Sequence, residues 1–389
     1  MKREATDAVM VSRGDAKSRR ACPEGRGSFF ATRQIPRGPW PKVKLGDIGR
    51  VAMCKRILKC ETTDTGDIPF FKIGTFGKTA DAFIAKDRFE YYRAHYSYPK
   101  KGSVLISAAG TIGRLVIFNG EPAYFQDSNI VWLEHDGQRL CDKYLYYFLL
   151  GHEWQISQGA TIQRLYNDDV RRTEIDLPPL PIQRRIADIL SAYDDLIENN
   201  RRRIAILEET ARLAYRKCFG GGEGRSLPLA EVADVLYGKD HKKIPDGDIP
   251  IFGSGGIMRY GAKAIYEQPS VLIPRKGTIS NVMYVEEPFW TVDTMFYTRV
   301  KIPNMERILY YQLCDYNIAS MSTGAAVPSM TTAILNALQI VVPPSELRQR
   351  FDKAVSPMFE QCRILKKQSA ALAAARDMLL PRLMKGEVA

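Results

Sequence analysis

The sequence predicts an α+β protein with two tandem globular domains, each followed by a long helix, and with the two helices packed as an antiparallel coiled coil. Two stretches have apolar residues at alternating steps of four and three, which is the spacing of a helix that packs lengthwise on another helix. Short β-type runs separated by Gly, Asn, Asp and Pro precede each stretch, and the order of these features is the same in both halves. The predicted segments are a flexible basic N-terminal tail at 1–39, a first domain at 40–179, a central helix at 180–219, a Gly-rich linker at 220–225, a second domain at 226–344 and a C-terminal helix at 345–385.

The central helix has a clear limit on both sides. Three prolines between positions 178 and 181 disfavour helix before Ile182, and three glycines after Phe219 end it. A helix of this size spans roughly 55 Å at about 1.5 Å per residue, so we interpret it as a spacer. The predicted seam of this helix consists of Ile186, Leu190, Tyr193, Ile197, Asn200, Ile204, Leu207, Ala211, Ala214 and Cys218.

A second stretch near the C-terminus repeats the alternation and is the predicted packing partner of the first. Its seam positions are Leu347, Phe351, Ala354, Met358, Gln361, Leu365, Gln368, Leu372, Ala375 and Leu379. We expect Asn200, Gln361 and Gln368 to fix the register as polar seam positions, at some cost in stability. We expect Pro357 to kink or split this helix near its start, because proline removes a backbone donor.

The two halves also share short motifs, with the second copy displaced by about 165 to 181 positions. Gly66-Asp-Ile-Pro recurs at Gly247, and Gly110-Thr-Ile recurs at Gly277. The chain is therefore predicted to be a tandem duplication of one unit. Tyrosines at helical spacing near the end of each domain are expected in the core: Tyr144, Tyr146, Tyr147, Tyr310 and Tyr311.

Composition restricts the class of partner. The 389 residues carry a formal net charge of +12, which favours a polyanion such as nucleic acid, although some membrane-surface proteins are equally basic. The seven cysteines are odd in number and form no C-x-x-C pair, which indicates a reducing compartment such as the cytosol. No apolar run approaches the ~20 residues that cross a bilayer, so we expect a cytoplasmic protein with no membrane contact.

Candidate catalytic sites do not meet the requirements of their motifs. The stretch from Gly74 to Thr79 resembles a phosphate-binding loop, but Lys72 stands where that motif has its first glycine, so we interpret the stretch as a turn. The four histidines have no partner at metal-ligand spacing. We therefore predict that the chain has no catalytic residue, no metal ligand and no cofactor of its own.

The remaining candidates for function are loops that mix cations, amides and hydroxyls with aromatic residues, a mixture that contacts phosphates and base edges. In the first domain they are Lys72, Lys78, Thr111, Arg114, Gln126, Ser128, Asn129, Gln163, Arg164 and Asn167. In the second domain they are Lys239, His241, Lys242, Lys243, Ser254, Arg259, Arg275, Lys276, Thr278, Ser280, Asn281, Thr323 and Ser329. The best individual candidates are the cluster at 239–243 and the pair Arg275 and Lys276, whereas a solvated loop residue is an equally good interpretation of any other.

Several motifs resemble one family, the specificity (S) subunits of type I restriction-modification systems. They are the G-D-I-P turn, the K-x-G-x-x-L-I-S-x-x-G-T-I-G stretch from Lys100 to Gly113, the run from Ser157 to Leu165 and, most strongly, I-x-L-P-P-L-P-I-Q-R-R-I-A from Ile175 to Ala187. The resemblance covers nearly everything after residue 40. The chain departs from the family where Ile182-Gln183 replaces the usual Glu-Gln, and again in the second copy at 343–349.

The resemblance implies that each globular domain is a target-recognition domain, and that each reads one half of a bipartite asymmetric sequence in double-stranded DNA. It implies that the long helices hold the two domains a fixed distance apart. It also implies two methyltransferase (M) subunits, which use S-adenosylmethionine, and restriction (R) subunits, which use ATP and magnesium, as partners. The chain itself would bind none of these cofactors.

Two other classes of protein stay open on the sequence. A non-catalytic adaptor, whose coiled coil docks partner proteins without reading DNA sequence, would also be basic and duplicated. An enzyme carrying its own fused methyltransferase is disfavoured, because no segment remains to house one.

Overall fold

The computed structural model describes residues 38–154, 164–316, 318–321 and 329–387. Most of the predicted tail, at 1–37, lies outside the described residues, as do the predicted contacts Gln163 and Thr323. The chain forms two compact units, one with residues up to Glu198 and from Ala370 onward, and the other from Asn199 to Ser369. Each long helix therefore contributes part of its length to each unit.

The first unit is a mixed α and β structure. Its strands are β1 (Lys42–Lys44), β2 (Arg50–Met53), β3 (Ile68–Phe71), β4 (Phe83–Ile84), β5 (Val104–Ser107), β6 (Leu115–Ile117), β7 (Tyr124–Phe125), β8 (Ile130–Glu134) and β9 (Glu174–Asp176). Its helices are α1 (Lys86–His95), α2 (Asp142–Leu150), α3 (Asn167–Arg172) and the first part of α4 (Leu180–Phe219), with short 3₁₀ turns at Leu45–Asp47 and Lys59–Glu61. The strands form a four-stranded sheet in the order β2-β8-β5-β6, a three-stranded sheet in the order β4-β3-β7, and the pair β1-β9.

The second unit begins in the remainder of α4. Its strands are β10 (Arg225–Pro228), β11 (Ala233–Tyr237), β12 (Ile249–Gly253), β13 (Gly256–Gly261), β14 (Ser270–Pro274), β15 (Met283–Val285), β16 (Trp290–Thr291), β17 (Met295–Val300) and β18 (Gln339–Val342). Its helices are α5 (Leu229–Val232), α6 (Glu306–Asp315), α7 (Thr332–Asn336) and most of α8 (Ser345–Met384), with a 3₁₀ turn at Ile318–Met321. The sheets have the orders β11-β17-β14-β15, β13-β12-β16 and β10-β18.

The two units have the same strand order, position for position. In both, the central pairs are antiparallel, and the strand that begins at the isoleucine of the G-D-I-P motif pairs in parallel with a later strand, β3 with β7 and β12 with β16. The predicted fold class, two tandem α+β domains with long helices, is confirmed. The units differ at α1, since residues 262–269 of the second unit contain no helix.

The four-stranded sheet of each unit lies between two cores, because consecutive apolar residues of its central strands point to opposite faces. On β5, Val104 and Ile106 face a core built with the helices, whereas Leu105 faces the three-stranded sheet. On β14, Val271 and Ile273 face the helices and Leu272 faces the other sheet. The tyrosines of α2 and α6 lie in the helical cores or pack against them, as predicted.

The two long helices run antiparallel within each unit. In the first unit, Asp194 of α4 accepts hydrogen bonds from Tyr147 of α2 and from Arg376 of α8. In the second unit, Glu208 of α4 pairs with Lys366 of α8 at 3.0 Å. Higher numbers on α4 thus meet lower numbers on α8.

The observed seam of α8 differs from the predicted one by single residues. Val355 and Cys362 are buried, where the prediction has Ala354 and Gln361. Ser369 takes the place of Gln368: its Oγ accepts from Asn200 Nδ2 at 3.4 Å, and Gln368 is exposed. A helix with 3.6 residues per turn drifts against a strict four-three alternation, so an adjacent residue takes over the seam. On α4, Cys218 at the end of the predicted seam is exposed.

Pro357 does not split α8 into two helices, contrary to that part of the expectation, since the helix runs without interruption from Ser345 to Met384; a kink at this residue stays a prediction. A proline removes one backbone donor, so the cost is local when neighbouring turns are held by packing. Phe351 and Val355, in the preceding turns, belong to the core of the second unit and supply that packing.

One side chain holds the start of each long helix, a buried one in the first unit and a half-buried one in the second. Gln183 Oε1 accepts from the Cys141 amide at 2.8 Å, and its Nε2 donates to the carbonyls of Arg139 and Pro178 at 2.8 and 2.7 Å. In the second copy Arg348 stands at the same place after the Pro-Pro pair, and it donates to the carbonyls of Pro343 and Pro303. The departure from the motif in the second copy therefore keeps the same clamp with different chemistry.

Candidate nucleic-acid interface

Three loops of the first unit meet at one edge of its sheets. They follow β3 (72–79), β5 (108–114) and β7 (126–129). The Gln126 amide donates to Phe71 O at 2.9 Å, and the Ala108 amide donates to Asn129 O at 2.7 Å. The Leu165 amide also joins this edge. It lies just after residues 155–163, which are outside the described residues, and it donates to Ala108 O at 2.8 Å. Main-chain bonds thus bring most of the residues predicted for this domain to one surface.

Three of the predicted residues use their side chains to hold these loops. Arg114 donates to Phe76 O at 2.9 Å, and Arg164 donates to Ser128 O at 2.6 Å. Gln126 Oε1 accepts from the Ile73 amide at 2.9 Å. These groups position the loops, and their direct contact with DNA stays a prediction.

The other predicted residues of the first unit range from exposed to half-buried. Lys78 and Thr111 are exposed, and within the described residues their side chains have no hydrogen-bond partner. Lys72 pairs with Asp81 at 2.9 Å, with each side chain about half exposed. Asn129 and Asn167 are half-buried. The segment from Lys72 to Lys78 is a turn, as the sequence suggested, because the amides of Thr75 and Lys78 donate back three residues.

The second unit reproduces the same anchors. The Val292 amide donates to Phe252 O at 3.1 Å, the Arg275 amide donates to Thr294 O at 2.8 Å, and the Met330 amide donates to Arg275 O at 2.9 Å. These bonds correspond one for one to the three main-chain bonds of the first unit. The loops of the two units therefore stand on equivalent supports, whatever side chains they carry.

The Gly-Thr turn of the second unit lies against the tip of the β12–β13 hairpin. Asn281 Nδ2 donates to Ser254 O at 2.8 Å. Gly277 has φ +82°, and a Cβ at this position would lie 2.6 Å from Ser254 Oγ, so only glycine allows this approach. Next to it, Lys276, Thr278 and Ser280 are exposed. Ser329 pairs with Lys276 in an isolated β-bridge.

The cluster at 239–243 is held to the hairpin by Arg259. This guanidinium donates to His241 O at 2.6 Å, to Ile244 O at 2.8 Å and to Asp246 at 3.0 Å, so it shapes the loop. Within the cluster, the backbone amide of Lys242 donates to the carboxylate of Asp240 and lowers its pKa. Three lysines of the cluster are exposed, at 239, 242 and 243.

Arg275 differs from the other arginines predicted to contact DNA. Its guanidinium lies over the ring of Tyr237, with 5.5 Å between Cζ and the ring centroid, and it donates no hydrogen bond to any residue that the structure describes. A guanidinium that lies over a ring in this way keeps its N–H donors available, and such donors suit O6 and N7 of guanine. Sequence reasoning missed Tyr237; the signal was an aromatic residue at the end of a strand two positions before a lysine.

The described residues contain no group of three His, Cys, Asp or Glu side chains placed to hold a metal ion. His135 and Asp142 do bond to each other at 2.8 Å, a pair that ligand spacing in the sequence did not indicate. Within the same described ranges, no helix is both long and apolar enough to cross a membrane.

The family model described as type I restriction modification DNA specificity domain matches the chain twice, at residues 38–209 and 227–374. The chain belongs to this family. A type I restriction enzyme specificity subunit of Haemophilus influenzae is 51% identical over 173 residues, which are 44% of this chain and 45% of that protein. The MjaIX specificity subunit of Methanocaldococcus jannaschii is 23% identical over an alignment 413 positions long, which covers 91% of this chain and 94% of that protein.

The crystal structure of a type I restriction-modification S subunit from M. genitalium has the same fold. It aligns with a TM-score of 0.59 at 18% identity, covering 92% of this chain and 98% of the other. The two matched segments of this specificity-domain protein coincide with the two copies of the repeated strand order. Their loops carry different exposed residues, chiefly Lys78 and Thr111 in the first unit and the lysines at 239–243 with Arg275 in the second.

Proposed function

We propose that this chain is the DNA sequence-recognition subunit of a type I restriction-modification complex. In this role it binds a bipartite asymmetric target in double-stranded DNA and directs the methyltransferase and restriction subunits to it. The observation that supports the proposal best is that two family-matched segments share strand order and loop anchors while their exposed loop side chains differ. Such a pair keeps one fold and reads two different half-sites.

The chemistry of the loops supports a division between positioning and reading. Exposed lysines, such as Lys78 and Lys242, suit phosphate oxygens, whose contacts fix register without selecting sequence. Arg275, stacked on Tyr237 with its donors available, suits a guanine edge. We therefore assign Lys78, Thr111, Arg275, Lys276 and the 239–243 cluster to the DNA-facing surfaces of the two units.

The chain has no catalytic role in this proposal. Methyl transfer belongs to two methyltransferase subunits that use S-adenosylmethionine, and cleavage belongs to restriction subunits that use ATP and magnesium. We assign to α4 and α8 the spacing of the half-sites and the docking of these subunits. The proposed site of action is the cytoplasm, where the host DNA is.

Methylation mapping of host DNA, with and without this chain, tests the proposal. Loss of methylation at one bipartite motif on deletion supports it. Exchange of residues 226–342 for those of another member of the family is expected to change one half-site and leave the other intact. The adaptor alternative predicts no motif and equal retention of target and scrambled duplexes at moderate salt, and either result would overturn the proposal.

A further inference from the structure

The β12–β13 hairpin of the second unit exposes two adjacent apolar side chains. Ile257 is 50% exposed and Met258 is 58% exposed. Side chains of a regular strand alternate between its two faces, so two adjacent exposed residues require an irregularity. The register of this hairpin shifts between Ile251 and Phe252, where Arg259 pairs with Ile251 and Ile257 pairs with Phe252, so that Met258 is the extra residue.

The same hairpin places a glycine opposite the methionine side chain. Met258 lies over Gly253 on the facing strand, where a Cβ would be 2.5 Å from its sulfur. A Cβ at position 253 would require the methionine side chain to move, so the glycine permits the observed cross-strand approach. The exposed apolar pair is built into the fold through both a bulge and a glycine.

This pair lies within the proposed DNA-facing surface. On one side, Ser254 at the hairpin tip accepts from Asn281 of the Gly-Thr turn. On the other side, Arg259, the residue after Met258, holds the loop that carries the exposed lysines 242 and 243. Residues 239–263 contain five Lys or Arg and three Asp, so the segment that carries the apolar pair has a net positive charge. Positive charge around the patch suits a polyanion.

We propose that Ile257 and Met258 contact the C5-methyl group of a thymine in the half-site read by the second unit. The inference rests on the proposed function and deepens it. A two-stranded antiparallel ribbon fits the major groove, and the methyl group of thymine is the one apolar feature that a base pair presents there. Flanking lysines would contact phosphates on either side and hold the ribbon in the groove.

The first unit lacks this feature among its described residues. The strand pairing β3–β4 covers only Ile68 with Ile84 and Pro69 with Phe83, and the loop between the two strands keeps its aromatic residue, Phe76, at 1% exposure. Methyl dependence should therefore be confined to one half-site. This asymmetry gives the test an internal control.

The test uses the full-length chain in complex with its methyltransferase subunits, on synthetic duplexes of the mapped target. Each thymine of the two half-sites is replaced in turn by deoxyuridine, which differs only in lacking the C5-methyl group. In the half-site of the second unit, at least one replacement should weaken binding about fourfold, the factor expected for burying one methyl group. Replacements in the other half-site are the control and should leave binding unchanged.

Matched variants locate the contact. Met258→Ala and Met258→Gln should bind the thymine duplex less well and lose the fourfold difference between thymine and deoxyuridine. Met378→Ala, at a methionine 69% exposed on α8, should keep that difference. Met258→Gln preserves side-chain length, so a folding defect of the alanine variant would not decide the result.

Three outcomes with the DNA duplexes would overturn the inference while leaving the proposed function intact. They are a half-site without thymine, equal affinity for thymine and deoxyuridine duplexes, and a fourfold difference that persists in the Met258 variants. Loss of methyltransferase subunits from the Met258 variants, with unchanged discrimination, would identify a protein-docking patch and also overturn it. A complex that retains no specific duplex at all would refute the proposed function itself.

Discussion

Replacing Gln183 with methionine tests the clamp at the start of α4. Methionine has the same unbranched length and cannot form the hydrogen bonds of the amide. Gln183 is 0% exposed and connects the Cys141 amide with two carbonyls, those of Arg139 and Pro178. The substitution leaves these three main-chain groups without their partner; the bond to Pro178 O is buried and the other two are partly buried.

The expected loss follows from these three bonds. A typical hydrogen bond contributes about 1 kcal/mol net, so three bonds give about 3 kcal/mol, and unsatisfied buried groups raise this figure. For a unit of this size, each kcal/mol lowers the unfolding temperature by roughly 2–4 °C, so a decrease of roughly 6–12 °C is expected.

Thermal unfolding followed by circular dichroism measures the change, and hydrogen exchange at the Cys141 amide reports it locally. Gln368→Met, at an exposed glutamine of α8, is the matched control and should shift unfolding by less than about 2 °C. Equal unfolding temperatures for the two variants, with unchanged protection of the Cys141 amide, would show that the clamp contributes nothing.

Three further predictions concern recognition, reactivity and spacing. Arg275→Ala should weaken DNA binding by roughly 1–3 kcal/mol and relax selection at one base pair, whereas Lys78→Ala should weaken binding about equally on all sequences; titration of base-substituted duplexes would contradict this if both variants lost affinity uniformly. Iodoacetamide at pH 8 should modify the exposed Cys60 and Cys218 well before Cys54, because burial raises the pKa of the Cys54 thiol to about 12 and leaves little thiolate; equal rates by peptide mass spectrometry would refute this. Seven residues added between Asn200 and Ile204, with a matching heptad between Leu365 and Ser369, should lengthen the tolerated gap by about 10 Å, or about three base pairs, without changing the half-sites. An unchanged gap in methylation mapping would contradict the spacing role.

The sequence indicated the architecture because its signals were local and repeated. Prolines and glycines mark the limits of α4, and apolar strands recur in the same order in both halves. The seam of α8 was less predictable, since Val355 and Ala354 fit the alternation almost equally and only the facing helix decides between them. Neighbouring packing also determines whether a helix accepts Pro357.

The sequence predicted which loops form the candidate interface, but not which of their side chains hold the loops and which stay available for DNA. Residue type alone does not show which arginines donate hydrogen bonds to main-chain carbonyls of the loops. Arg114, Arg164 and Arg259 do, and Arg275 stacks on a ring instead. Met258 was missed for a related reason, because its exposure depends on a register shift that strand periodicity does not encode.

The main-chain anchors of the loops have a consequence for how new specificities can arise. Main-chain hydrogen bonds join Ala108 to Asn129 and Arg275 to Thr294. Every residue type has the acceptor carbonyl, and every type except proline has the donor N–H. Mutations can therefore exchange alanine for arginine at such a position without detaching the loop from its support. During evolution, the DNA-facing side chains of these loops can therefore change while the fold stays intact.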